Sequence, residues 1–106
     1  MSGKYSRNKG KTGERELAAK LRELGFEARR GQQFCGANGD ADVVGLPGIH
    51  IEVKRTERLH MYDALAQSRH DAREDEIPIV ATRKNNCEWV AILSFEDLIA
   101  LYRESL

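Results

Sequence analysis

Two short stretches indicate the centre of the fold: DVVG at residues 42–45 and IHIEVK at residues 49–54. In the second stretch, apolar and polar residues alternate, which predicts a β-strand with one face turned to the core. The apolar face carries Ile49, Ile51 and Val53, and the polar face carries His50, Glu52 and Lys54. Glu52 and Lys54 therefore lie side by side, about 7 Å apart along the strand.

A leucine-proline-glycine turn at residues 46–48 joins the two stretches into a predicted antiparallel hairpin. A hairpin centred there pairs residues whose numbers sum to about 95, which places Asp42 roughly opposite Val53. Asp42 then lies within reach of Glu52 and Lys54. Carboxylate oxygens suit Mg²⁺ or Mn²⁺, and a neighbouring lysine can activate a water or neutralise charge on a phosphate.

A simpler interpretation of the Glu-x-Lys pattern is a solvated strand face on which the two charges pair with each other. His50 shares that face and is a candidate for contact with the site or with a ligand. Asp40 is assigned to the turn before the hairpin, because only Asp42 directly precedes the apolar pair. Gln67, on the next predicted helix, is either a flank of the site or a solvated side chain.

The composition is that of one soluble, globular domain: 106 residues, 41% hydrophobic and 32% charged. No apolar run has the length of a membrane helix, and no signal peptide is visible. The two cysteines, Cys35 and Cys87, are far apart, which argues against a disulfide scaffold or a zinc cluster. A cytoplasmic location is therefore expected.

The net charge is zero, but its distribution along the chain is uneven. Residues 1–30 contain nine Lys/Arg and four Asp/Glu, a balance of +5, whereas residues 71–106 contain four and eight, a balance of −4. A basic N-terminal third is typical of proteins that bind a polyanion, and it is also common as an aid to solubility. Residues 1–11 are predicted to form a flexible basic arm ahead of a single domain at residues 12–106. The candidate phosphate-binding cations are Lys9, Lys11, Arg29, Arg30, Arg55 and Arg58.

Periodicity predicts the element order α-β-β-β-α-β-β-α, a mixed sheet flanked by helices in the α/β class. The first helix runs from Thr12 to Leu24 and ends at Gly25, with Glu14 on its inner side, favoured there by the helix dipole or directed at the site. A second helix spans 59–73, with Tyr62, Leu65 and Ala66 on its inner face. Strands follow at 26–30, 42–45, 49–54, 77–82 and 87–93, and a final helix begins at Ser94 with Asp97 in a capping-box-like arrangement.

Four motifs in this order resemble the archaeal-type Holliday junction resolvases of the PD-(D/E)xK nuclease superfamily. They are GEREL at 13–17, LGF at 24–26, ADVV at 41–44 and IEVK at 51–54. The resemblance covers about residues 9–93 and implies a restriction-endonuclease-like core. The short chain is similar to phage or prophage versions of the nuclease. Two positions depart from the family: Ala41 replaces a proline, and the loop serine has no counterpart, with Gln33 or Cys35 in that loop.

The resemblance implies a Mg²⁺- or Mn²⁺-dependent endonuclease that cuts four-way junctions. By position, Glu14, Asp42, Glu52 and Lys54 are the expected catalytic residues. Asp42, Glu52 and the backbone carbonyl of Val53 are the expected metal ligands, with Glu14 as a further one. A four-way junction has two-fold pseudosymmetry, so a homodimer is expected, formed through the last helix or the helix after Lys54.

Three alternatives stay open at this point. The chain could be a nuclease of the same superfamily that acts on other branched or duplex DNA. It could also be a non-catalytic DNA-binding module with the same fold, although the complete Asp42, Glu52 and Lys54 set argues against this. The last alternative is a structural α/β domain.

Overall fold

The computed structural model describes residues 3–32 and 41–106, with side chains described from residue 10 onward. Three helices and five strands follow one another in the predicted order α-β-β-β-α-β-β-α. They are α1 (Gly3–Glu23), β1 (Arg29–Arg30), β2 (Val43–Val44), β3 (Ile49–Arg55), α2 (Met61–Asp71), β4 (Ile77–Arg83), β5 (Val90–Ile92) and α3 (Phe95–Glu104). The α/β class and the mixed sheet are thus confirmed.

The five strands form one sheet in the order β1-β2-β3-β4-β5. β3 pairs antiparallel with β2 and parallel with β4, and the remaining pairs are antiparallel. A parallel pair needs a long crossover connection, and here the crossover contains α2. β3, the strand with the Glu-x-Lys pattern, is therefore the centre of the sheet.

The β2–β3 hairpin agrees with the predicted register to within one residue. Val43 pairs with Ile51, so the residue numbers sum to 94 rather than to about 95. The turn between them contains two glycines with positive φ, Gly45 at 135° and Gly48 at 86°. A side chain at Gly45 would approach Ala28 Cα to 2.6 Å, so this position requires glycine for space as well as for conformation.

One face of the sheet packs against α1. Leu17 and Ala18 of α1 meet Ile51 and Val53 of β3 in a buried cluster that Ala28, Val43 and Ala81 complete. At Gly13 the helix comes so close to β3 that a Cβ there would lie 2.6 Å from the Cβ of Arg55. This close approach brings the acidic side chains of α1 to the sheet.

The other face packs against α2, and here the predicted inner face was wrong. Ala64 and Ser68 are the buried residues of α2, and the Ser68 hydroxyl donates to the Ile79 carbonyl oxygen at 3.0 Å. Tyr62 is 81% exposed. Small side chains let the helix axis approach the sheet, so a larger apolar residue is not needed on the contact side.

Two further expectations about the strands and helices are corrected. The α1 helix begins at Gly3 rather than at Thr12, and it passes through most of the segment predicted as an arm. The flexibility expected of the basic segment, residues 1–11, stays a prediction. The strand expected at 26–30 is reduced to Arg29 and Arg30, whereas the stop at Gly25 is confirmed by its φ of 99°.

The sequence predicts that only the apolar face of β3 is buried, but the polar face is buried as well. His50 and Glu52 are buried like Ile51 and Val53, because α2 covers the side of the sheet on which they lie. Within the described ranges, none of the helices is long and apolar enough to cross a membrane. Cys87 is an exposed free thiol, and Cys35 lies outside the described residues.

Candidate active site

Asp42 stands immediately before β2 and is tied to β3 by backbone and side chain together. Its N–H donates to the Ile51 carbonyl oxygen at 3.0 Å, and its Oδ2 accepts from the Val53 N–H at 2.8 Å. Its own carbonyl oxygen accepts from the Gly31 N–H at 2.9 Å. The carboxylate is therefore fixed by main-chain groups rather than by flexible side chains.

The electrostatic setting of Asp42 is unfavourable for a negative charge. Burial raises its pKa to about 7, the Val53 N–H opposes this rise, and the charges of Glu52 and Glu14 add to it. A hydrogen bond between the Asp42 and Glu52 carboxyl groups contributes in the same direction. Two carboxyl groups thus meet in a partly desolvated position, an arrangement typical of functional sites.

Glu52 extends from the centre of β3 and is only 7% exposed. Its Oε1 lies 3.3 Å from His50 Nε2, a contact between residues two positions apart on one face of the strand. The hydrogen bond to Glu52 raises the pKa of His50, while burial opposes that rise. His50 is therefore a direct neighbour of the candidate site, which was one of the two options left open by the sequence.

Glu14 reaches the same region from α1. Arg30 Nε of β1 donates to Glu14 Oε1 at 3.0 Å, and the Glu14 charge acts on Asp42. The helix therefore contributes an acid that is held in place by a cation on the edge strand. The structure brings Glu14, Asp42 and Glu52 together, while their roles stay predictions.

Lys54 lies two residues beyond Glu52, on the same face of β3. Its Nζ donates to Gln67 Oε1 of α2 at 3.2 Å, and its backbone carbonyl oxygen accepts from the Thr82 hydroxyl at 2.6 Å. It borders an open cleft of about 360 Å³ that Arg58 and Asp63 also line. The ammonium group is thus oriented by α2 and accessible to a ligand.

Arg55 has a different position from the other candidate cations. Its side chain is 11% exposed, and its Nε donates to Glu16 Oε2 at 3.0 Å. The same guanidinium donates to the Arg83 carbonyl oxygen and to Asn85 Oδ1. Arg55 therefore joins α1, β3 and the end of β4, and the structure gives it a clear architectural role.

The remaining predicted phosphate-binding cations lie around the sheet edge and the cleft. Lys11, Arg29 and Arg58 are exposed, and Arg30 is partly exposed beside Glu14. The side chain of Lys9 is outside the described part of the chain. Contact of any of these cations with DNA stays a prediction.

The donor set at Asp42 and Glu52 fits a hard divalent cation. Mg²⁺ is commonly bound through one or two carboxylates and keeps several waters. Among the described residues, no group of three His, Cys, Asp or Glu side chains is placed to hold a metal ion together, so two carboxylates are the side-chain ligands offered. A cation bound there would offset the burial and the carboxylate repulsion that raise the pKa of Asp42.

Comparison with solved structures finds Hjc of Archaeoglobus fulgidus, a Holliday junction resolvase from an archaeal hyperthermophile. The two chains are 27% identical and superpose with a TM-score of 0.60, over 79% of this chain and 76% of the other. The resemblance to the archaeal-type Holliday junction resolvases is confirmed. The chain has the Hjc-like form of the restriction-endonuclease-like fold. No family model matches the sequence. No curated protein matches it either.

Three neighbours of the candidate site had weak support, or none, from the sequence. Gln67, for which the sequence left open a flank of the site or a solvated side chain, accepts a hydrogen bond from Lys54. Glu16 pairs with Arg55, and no sequence pattern indicated this contact. Glu76, 3.5 Å from His50 Nδ1, lies between α2 and β4, and no sequence pattern distinguishes it. Each of these three pairs joins residues that are distant in the sequence, so neither helix spacing nor strand alternation marks the partners. Gln33, Cys35 and Asp40 lie outside the described residues.

Proposed function

We propose that this chain is a metal-dependent endonuclease that hydrolyses DNA phosphodiester bonds and resolves four-way (Holliday) junctions. The observation that carries the proposal is the Asp42–Glu52 carboxyl pair, in which Glu52 is buried and Asp42 is half-buried, with Lys54 on the same strand as Glu52. The similarity to the Archaeoglobus fulgidus resolvase supports junction DNA as the substrate. The proposal implies a role in DNA recombination and repair, inside the cell.

In this proposal Asp42, Glu52 and the Val53 carbonyl oxygen hold Mg²⁺ or Mn²⁺, and Glu14 tunes the site through its charge. When bound, the cation would lower the pKa of a coordinated water and offset negative charge on the phosphate. Asp42 must be ionised to act as a ligand, so its proton has to leave first. The Val53 N–H keeps the carboxylate in one orientation while this occurs.

Lys54 acts on the scissile phosphate from the cleft. Its ammonium group stabilises the negative charge that develops on the phosphoryl oxygens, or it positions the attacking water. Gln67 holds the ammonium through a neutral oxygen, so the positive charge of Lys54 is not cancelled. A preorganised cation of this kind reduces the reorganisation needed at the moment of reaction.

The cations near the cleft and the sheet edge bind the DNA backbone. Arg58 borders the cleft beside Lys54, and Arg29 is exposed on β1. Lys9 and Lys11, within the basic segment 1–11, add contacts from α1. Since these contacts are made to phosphates, the affinity should fall as the salt concentration rises.

A homodimer supplies the two active sites that symmetric cutting of a junction requires. The surface we assign to the partner copy, the α2–α3 apolar surface, contains Met61, Tyr62, Phe95, Leu98 and Tyr102, all exposed in the single chain. Met61, Tyr62 and Phe95 share one groove between α2 and the start of α3. Burial of such aromatic side chains against a second copy would favour association.

Sedimentation of the protein at micromolar concentration tests the dimer. The substitutions Tyr62→Ser and Phe95→Ser together should yield a monomer, whereas Leu24→Ser should leave the dimer intact. Leu24 is the matched control, because it is 61% exposed and lies outside this surface, after the end of α1. A monomeric wild-type protein would contradict this assignment.

Cleavage of a labelled four-way junction, compared with its linear duplex arms, tests the activity. Paired symmetric nicks in the junction alone, dependent on Mg²⁺ and absent in EDTA and in Glu52→Gln, are the expected result. Cutting of every substrate would instead indicate a nuclease of broader specificity. If the protein binds the four-way junction tightly but does not cut it in Mg²⁺ or Mn²⁺, it is a DNA-binding module and not a nuclease.

A further inference from the structure

His50 bridges the candidate metal ligand Glu52 and a second acid in a different element. The imidazole Nε2 lies 3.3 Å from Glu52 Oε1, and Nδ1 lies 3.5 Å from Glu76 Oε1. The His50 side chain is only 4% exposed, so few alternative positions are available to it. The ring is therefore held between two carboxylates, one on its own strand and one from the turn before β4.

Glu76 is itself fixed by the main chain. Its Oε1 accepts from the Arg73 N–H at 2.9 Å, within the turn that joins α2 to β4. Backbone pairing adds a second constraint, since His50 lies opposite Pro78 in the parallel β3–β4 register. The relative position of His50 and Glu76 thus depends on the sheet and not on a flexible surface loop.

We propose that His50 and Glu76 are positioning residues that hold the Glu52 carboxylate in the orientation required for metal binding. This inference rests on the proposed metal site. Hydrogen bonds to a ligating carboxylate restrict its rotation, so the ligand loses less freedom when the cation binds. Glu52 is engaged by Asp42 on one side and by His50 on the other, and Glu76 acts on it only through the imidazole ring.

An alternative is that His50 only fills space under α2, and the two roles differ in what a shape-preserving substitution does. His50→Leu retains an apolar side chain of related size but removes both ring nitrogens. If His50 only packs, the metal affinity is unchanged in this variant. If it positions Glu52, the affinity for Mn²⁺ falls about 10- to 100-fold, the range typical for loss of a hydrogen-bond partner of a metal ligand.

Glu76 supplies a second, milder test because it is partly exposed in a turn. Glu76→Gln should weaken Mn²⁺ binding less than His50→Leu does. His50→Gln should bind Mn²⁺ more tightly than His50→Leu, because its amide can still donate to Glu52. In the variant with both His50→Leu and Glu76→Gln, the affinity should equal that of His50→Leu alone, since Glu76 has no route to the metal without the ring. Glu74→Gln, in the same turn between α2 and β4, is the matched control and should bind Mn²⁺ like the wild type.

The experiment is calorimetric titration of each full-length protein with Mn²⁺, together with the ¹³C carboxyl signal of Glu52 in the metal-free protein. The expected result is a weaker Mn²⁺ affinity and a displaced Glu52 signal in His50→Leu. A wild type that binds Mn²⁺, with unchanged affinity in His50→Leu and Glu76→Gln, would overturn the positioning role alone. A wild type that binds no Mn²⁺ would overturn the metal site and this role together. If His50→Leu does not fold, His50→Gln and Glu76→Gln decide the question by the same two readouts.

Discussion

The side chain of Asp42 accepts a 2.8 Å hydrogen bond from the backbone N–H of Val53, the residue between Glu52 and Lys54. The Asp42 N–H also donates to the Ile51 carbonyl oxygen at 3.0 Å, so main-chain groups of β3 hold both the backbone and the carboxylate of Asp42. Asp42, immediately before β2, is therefore attached to β3, the strand that contains two of the other candidate catalytic residues, Glu52 and Lys54. The protonation of Asp42 should therefore affect both the stability of the protein and its affinity for a divalent cation.

Replacement of Asp42 by asparagine should change how the stability of the metal-free protein depends on pH. The folded-state pKa of Asp42 is about 7, against an ordinary value of 3.8, so the folded protein binds a proton there that the unfolded chain releases. The free energy of unfolding should fall as the pH rises from about 4 to about 7. Asp42→Asn lacks this proton but keeps an oxygen for the Val53 N–H.

Thermal unfolding in EDTA between pH 5 and pH 8 measures the effect. The Tm of the wild type should decrease over this range more than that of Asp42→Asn, which should be the more stable protein at pH 8. The pKa of His50 is also raised, so its stabilising contribution is complete below 6.5 and is lost as the pH rises through its folded-state value. His50 is present in both proteins, so parallel Tm curves would contradict the assignment to Asp42.

The affinity for a divalent cation should increase with pH until Asp42 is ionised. Below about pH 7 the cation must displace the Asp42 proton, which lowers the apparent affinity about tenfold per pH unit. Mn²⁺ titration at pH 6, 7 and 8 measures this slope. An affinity independent of pH would mean that Asp42 is not a ligand.

Removal of the Lys54 ammonium should affect the reaction and not the metal. Lys54→Ala should lower kcat on the junction by about 10²-fold or more, because a preorganised charge at the phosphate is lost. Its Mn²⁺ affinity should stay at the wild-type value. Gln67→Ala should give a smaller loss, since Lys54 keeps its charge but loses the contact that orients it.

Lys84→Ala is the control for this pair. Lys84 is an exposed lysine in the turn after β4, so its removal changes the net charge by the same amount. A comparable loss of kcat in Lys84→Ala would show that Lys54 acts through general electrostatics rather than through its position.

Two glycines of α1 should respond in opposite directions to substitution by alanine. Gly13→Ala places a Cβ 2.6 Å from the Cβ of Arg55, which should destabilise the protein by about 1–3 kcal/mol through overpacking. Gly10→Ala meets nothing within 4 Å and should stabilise the helix by about 0.5–1 kcal/mol. Chemical denaturation of both variants measures the difference, and equal effects would contradict the close α1–β3 contact.

Features that depend on neighbouring residues were predictable from the sequence. The stop at Gly25 and the cap at Ser94, whose hydroxyl accepts from the Asp97 N–H at 3.1 Å, follow from local backbone chemistry. The β2–β3 hairpin follows from its turn residues and the alternation of β3. These elements brought Asp42 to Glu52 without any long-range assumption.

Features that depend on distant partners were not predictable in this way. Arg55 and Glu16 are 39 positions apart, and no sequence pattern marks them as a pair. In α2 the hydrophobic pattern indicated Tyr62, whereas the sheet is contacted by Ala64 and Ser68. A choice between a large apolar residue and a small one depends on the distance between helix and sheet, which is a property of the whole fold.

The α3 helix has a consequence for how the protein folds. In the part of the chain that the structure describes, none of its ten residues is buried, so the Ser94 cap and the internal helical bonds are its chief support. An isolated helix of this length is marginal in water. In dilute solution α3 should therefore unravel ahead of the rest of the domain, with rapid amide exchange and early cleavage by proteases. Assembly of two chains would then complete the fold of this C-terminal segment, and the protein would gain helical ellipticity as its concentration rises.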